Sequence, residues 1–156
     1  MNDGLLRCWL VQAGFKVSDV LRDDIDRALS NSTTPLMYAA RVGDIEAVNG
    51  LLAHGADPAL MNSDGNGALW LACFADSEEC VIALIKAGAP LDTQNINGAT
   101  ALIYCASAGK APLVQLLLDA GANPDLVTLD DFNALELASN MACLRMLKAT
   151  GRATYA

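Results

Sequence analysis

The sequence predicts an all-α fold, a solenoid of stacked helix-turn-helix units, and three observations carry that expectation. The first is a fixed period: Leu36, Leu69, Leu102 and Leu135 stand 33 residues apart. Small residues follow each leucine three and four places on, at Ala39–Ala40, Ala72–Cys73, Cys105–Ala106 and Ala138–Ser139. The second is what comes next in phase: Val48, Val81 and Val114, then Leu51–Leu52, Leu84–Ile85 and Leu117–Leu118, then a closing Gly55–Ala56, Gly88–Ala89 and Gly121–Ala122. A repeat of this length marks units that cannot bury an apolar face alone and must stack. The third is composition. Of 156 residues 53% are hydrophobic but only 5% aromatic, which suits small helices packed closely in one domain with a real core.

Residues 1–30 fall outside the repeat phase. Leu5, Leu6, Trp9, Leu10 and Ala13 have helical spacing, and Gly14 is placed to end that helix. Ser18 is placed to cap a second helix, with Asp19 in its first turn and Val20, Leu21, Ile25, Ala28 and Leu29 on one face. Solenoids need end units with one polar face, so residues 1–30 read as N-terminal capping helices. A membrane-surface helix is the competing reading, and Asp23, Asp24 and Asp26 oppose it.

From residue 31 each unit gives two short antiparallel helices. In the first unit Thr34 is the N-cap and Pro35 the first helical residue, where a missing N–H costs nothing. Leu36, Ala39 and Ala40 face inward, and Gly43 makes the turn. Asp44 caps the second helix, Val48, Leu51 and Leu52 form its buried stripe, and Gly55 ends it. The units run 31–63, 64–96, 97–129 and 130–156. In the last, Leu144 matches Val48 only if three positions between its helices are deleted, so a tighter turn is expected there, and Arg145, Lys148 and Arg152 give it a basic end; it reads as a shortened C-terminal cap.

Thr34-Pro35-Leu36, the Ala-Ala pair, and Leu-Leu-x-x-Gly-Ala-Asp at 51–57 closely resemble the ankyrin repeat. The resemblance covers residues 31 to 151 and implies an ankyrin-repeat solenoid with projecting hairpin loops, near 62–67, 95–100 and 128–133, that binds a protein partner. Gly67-Ala68 and Asn133-Ala134 depart from Thr-Pro, though Gly and Asn are workable N-caps. Met37, Trp70, Ile103 and Glu136 stand where the family has histidine, which substitutes apolar contact for a polar network in three of four copies. Asp76 replaces the turn glycine, a position Asp tolerates.

The net charge is −8. Between Val42 and Leu144 thirteen acidic residues face two basic ones, Lys86 and Lys110. Such a field keeps an apolar protein soluble, repels nucleic acid and anionic lipid, and attracts a basic partner. Five cysteines occur with no C-x-x-C pair, and Cys73 and Cys105 take small-residue positions, as buried hydrophobes in a reducing compartment. Asp3 and the lack of a basic region argue against a secretory signal, and no stretch has the length of a membrane span. These readings predict a cytoplasmic monomer.

Little in the chain suggests catalysis. The single histidine, His54, has no partner set for a triad or metal site and reads as a helix-end residue. Asp130–Asp131 and Asp64 fall on finger tips, where carboxylates are usually solvated turn formers. Gly65-Asn66-Gly67 lacks the lysine of a phosphate loop. The chain is expected to be no enzyme, with no cofactor and no metal.

By analogy with ankyrin-type proteins, partner-binding positions map onto finger tips and the exposed side of the first helices. They are Arg41, Ser63, Asp64, Asn66, Phe74, Asn97, Ser107, Asp130, Phe132 and Asn140. Phe74 and Phe132 are natural anchors, unless each folds back on its own repeat; Trp70 reads as core, filling space left by Gly67 and Ala68. The expected function is a non-catalytic interaction module using an acidic concave groove. The alternative is a structural subunit that buries its broad face in a fixed oligomer.

Overall fold

A computed structural model describes residues 1–18 and 21–154, without the side chains of 22 and 152–154. Asp19, Val20 and the Arg152 side chain, to which the sequence assigned a helix start, a buried face and a basic end, lie outside the described residues. The described backbone is helix and loop with no strand, apart from an isolated bridge between Met61 and Gly67. It divides into two compact units, one from Met1 to Pro90 and one from Leu91 onward.

The first unit holds α1 (Asp3–Gln12), α2 (Leu21–Asp24), α3 (Pro35–Val42), α4 (Ile45–Ala53), α5 (Ala68–Phe74) and α6 (Glu78–Lys86). Thr34 Oγ1 accepts from Met37 N, and Asp44 Oδ1 accepts from Ala47 N at 3.0 Å. Caps of this kind each contribute about 1 kcal/mol. Gly43 and Asp76 both turn the chain at positive φ, 71° and 58°, so the expected substitution of Asp for the turn glycine holds. α3 packs on α4 and α5, α5 on α6, and α4 on α6. Leu36, Ala39, Ala40, Val48, Leu51, Ala72, Cys73, Val81 and Leu84 are fully buried, while Leu52 is only half-buried. Full burial of one such leucine contributes roughly 1.5–3 kcal/mol.

The N-terminal segment departs from the expected pattern in two ways. Leu6 and Leu10 are buried against the repeats, but Leu5, at compatible spacing, is exposed. The second helix is a single turn, with Leu21 and Ile25 buried and Ala28 and Leu29 exposed. The Ser18 amide and hydroxyl both donate to Asp24 Oδ2. Those bonds, helped by the Arg27 guanidinium, hold the Asp24 carboxyl below the usual range. α1 is moored by Trp9, whose indole donates to Asp44 Oδ2 at 2.9 Å and whose ring meets Tyr38 edge-on. His54 adds a second tie, with Nδ1 at 2.7 Å from the Gly50 carbonyl and Nε2 at 2.8 Å from Asp3.

The second unit holds α7 (Ala101–Ser107), α8 (Ala111–Asp119), α9 (Ala134–Leu137) and α10 (Met141–Thr154). α7 packs on α8 and α9, and α10 on both. Leu102, Leu113, Val114, Leu117, Cys143 and Leu147 form its core. α9 is the shortened first helix, so the missing residues come from the end of that helix and not, as expected, from a tighter turn: residues 138–140 link α9 to α10 where 43–44 link α3 to α4. Leu144 is half-buried where Val114 is fully buried. Asn133 and Glu136 form a reciprocal capping box, a local polar use for the residue at the family's histidine position.

Candidate functional site

The fingers are built by one backbone pattern. Asn62 N donates to Asn66 O at 3.0 Å and Gly65 N donates back to Asn62 O at 2.9 Å, while Asn62 Oδ1 accepts from the amides of Asp64 and Asn66. The same turn recurs from Asn95 to Ala99 and from Thr128 to Phe132, with Gly98 and Asp131 in the left-handed region. It also occurs at Leu29–Thr33, where Leu29 N donates to Thr33 O at 3.0 Å and Ser32 has φ 62°. That finger replaces the expected end of a capping helix. Neighbouring fingers are joined: Ser63 N and Oγ both donate to Asn31 O, and Leu129 N donates to Asn97 O.

In the first unit these fingers and the first helices enclose a cleft of about 240 Å³. One wall is polar, from Asn31, Thr33, Asn62, Asp64 and Asn66; the other carries Arg41 from α3 and Trp70, Leu71 and Phe74 from α5. Trp70 and Phe74 lie one helical turn apart and stack with ring centroids 5.9 Å apart and planes 11° from parallel. Phe74 remains 50% exposed. Arg41 forms no salt bridge among the described residues.

Trp70 is thus not core, as the sequence suggested, but half-buried in the cleft wall. Its register holds the buried Met37 and Ile103 in other repeats, and an indole exceeds the room those side chains use. The surplus ring surface emerges and finds Phe74. Pairing at i and i+4 was the signal available for this. Asn31 and Thr33 could have been found by carrying the finger pattern back one further period.

The remaining sequence-predicted residues fall in three settings. Ser63 spends its hydroxyl on the neighbouring finger at 2.7 Å, and Asn66 is buried under its own turn. In the second unit Asn97 links two tips, Ser107 Oγ donates to the Tyr104 carbonyl, and Asn140 caps α10 while its amide donates to Gly109 O at 2.8 Å. Asp130 and Phe132 are exposed at the last tip. The cleft offers shape, an aromatic platform and one cation, with no nucleophile and base paired in it. Among the described residues no three His, Cys, Asp or Glu side chains converge as for a metal ion, and no helix is long and apolar enough to cross a membrane.

Comparison with known proteins adds a family-wide match: a model described as ankyrin repeats, in three copies, matches residues 6–95, 36–128 and 69–152. Ankyrin repeat and SOCS box protein 3 of Bos taurus is 30% identical over 115 residues, covering 72% of this chain and 22% of that protein. Ankyrin repeat protein nuc-2 of Neurospora crassa is 30% identical over 128 residues, 79% of this chain and 12% of its own length. Protein PhlB of Serratia liquefaciens is 33% identical over 144 residues, 87% of this chain and 62% of that one. The chain therefore spans 22% of the first relative, 12% of the second and under two thirds of the third.

Proposed function

The chain belongs to the ankyrin-repeat family, and on that premise we propose that it is a non-catalytic module that binds a protein partner through its finger tips and first helices. Family members use such repeats for protein–protein interaction; which surface works here is argued from this chain's own residues. The observation that carries the reading is the Trp70–Phe74 stack, half-exposed in a polar-walled cleft. Aromatic surface of this kind, desolvated by a partner, is what typically dominates interface energetics. Arg41, Ser63, Asp64 and Asn66 frame it in the first unit; Asn97, Ser107, Asp130, Phe132 and Asn140 are the corresponding positions of the second. Asp64 and Asp130 act at the rim, where charge steers association more than it holds a complex. The partner accordingly presents a basic surface, and the chain serves as a cytoplasmic monomer. Residues 1–30 and 130–156 act as caps of the stack.

The test is recovery of bound proteins by wild type beside Phe74→Ala. A protein lost with the substitution, from a variant whose thermal midpoint is held, supports the cleft. Self-association of the pure protein on size-exclusion would favour a structural subunit instead.

A further inference from the structure

We infer that the paired finger tips of the second unit, part of the binding surface proposed above, take an amphipathic protein segment with a basic rim. This rests on reading the chain as a binding module and adds the chemistry of what is bound. The tip after the turn-opening residue is Ser30 and Ser63 in the first unit but Ile96 and Leu129 in the second. Ile96 is 61% exposed and Leu129 75%, and Phe132 on the same last tip is 47% exposed. Large apolar side chains held this far into water, on loops that elsewhere carry serine, are costly unless something covers them.

The two fingers are also locked together. Leu129 N donates to Asn97 O at 3.0 Å, and Gln94 Nε2 donates to Gly98 O at 2.9 Å and Val127 O at 2.8 Å. Gly98 approaches so closely that a Cβ there would lie 2.9 Å from Leu129 N. Ile96 and Leu129 therefore project from a fixed platform, so a partner loses little to ordering the loops when it docks.

Charge selects the occupant. From Leu91 onward the sequence has six acidic and four basic residues, but the tips at 95–99 and 128–132 carry only acid, Asp130 and Asp131, and the basic residues are Lys110 and, in α10, Arg145, Lys148 and Arg152. The Lys110 ammonium lies 5.2 Å from the Tyr104 ring centroid, and exposed Asp130 and Asp131 separate Leu129 from Phe132. An apolar centre flanked by carboxylates favours an apolar stripe edged with Lys or Arg and repels an acidic one. It also disfavours a second copy docked tip to tip, which would bring like charges together.

The probe is a synthetic amphipathic Leu/Lys peptide, titrated beside its Leu/Glu counterpart and an all-Lys peptide. The Leu/Lys peptide should bind saturably and the other two weakly. The double substitution Ile96→Ser with Leu129→Ser should weaken it by about tenfold or more, at unchanged thermal midpoint, and Val11→Ser, at an equally exposed apolar position on α1, should leave it unchanged. Equal binding of the Leu/Glu peptide, indifference to the tip substitutions, or no binding of the Leu/Lys peptide each overturns the inference. If a partner protein still depends on Phe74 in any of those cases, the broader reading survives and only the tip surface is lost.

Discussion

Gly98→Ala should destabilise the second unit far more than a glycine of similar backbone angle in open space. Gly98 has φ 73° and Gly121 φ 99°, so alanine at either place meets the left-handed penalty of about 1–2 kcal/mol. Reduced freedom of the unfolded chain offsets about 0.4–1 kcal/mol of that. At Gly121 nothing lies within 4 Å of an added Cβ, and the net loss should stay near ~1 kcal/mol. At Gly98 the Cβ would meet Leu129 N at 2.9 Å and the Thr128 carbonyl carbon and Cα at 3.1 Å. These are backbone atoms and cannot swing aside, so an overpacking cost of about 1–3 kcal/mol adds. Equilibrium urea denaturation of the two variants beside wild type measures the difference. A Gly98→Ala midpoint no lower than that of Gly121→Ala would refute the close approach of the fingers and the rigid platform built on it.

Leu102→Ala removes a buried side chain from the core of α7 and should cost ~2–5 kcal/mol through lost burial plus the cavity left; a melting curve that overlays wild type would contradict the repeat phase. Hydrogen bonding to Asp3, with the Gly50 carbonyl on the other nitrogen, raises the His54 pKa above 6.5, because two acceptors require both ring nitrogens to donate. A raised folded pKa gives stability that is complete below 6.5 and lost as pH rises through the folded value. The wild-type urea midpoint should therefore fall from about pH 6 to about pH 8, and His54→Gln should flatten that slope. Cys73, Cys80, Cys105 and Cys143 are buried and Cys8 is exposed, and burial pushes the Cys80 and Cys143 thiols up. Native thiol labelling should be fast at Cys8 and slow elsewhere, and reductant should leave the thermal midpoint unchanged.

What the sequence could foretell follows from where each signal resides. Repeat phase is encoded locally and several times over, so Leu36, Leu69 and Leu102 and the caps at Thr34 and Asp44 were readable. Asp76 at positive φ was readable for the same reason, since a turn needs that conformation whatever packs around it. The segment before Thr34 had no such redundancy. Its structure depends on Asp24 turning inward to take two bonds from Ser18, a tertiary choice that helical spacing does not record. Trp70 shows the same limit at the site: its register says core, and only its volume and the phenyl ring four residues on decide otherwise. Exposure at Ile96 and Leu129 was likewise a property of the folded tips, where apolar residue type alone suggests burial.

The most direct test of the binding reading is titration of a purified partner against wild type, Phe74→Ala and Asp64→Asn at two ionic strengths, with thermal midpoints measured on the same samples. Phe74→Ala should lose more than ~1 kcal/mol of affinity with its midpoint held, and Asp64→Asn should slow association and lessen its salt dependence while dissociation stays unchanged. If Phe74→Ala instead lowers the midpoint sharply, and affinity corrected for unfolded protein is unaltered, then the aromatic stack serves the fold and the cleft is not where this chain binds.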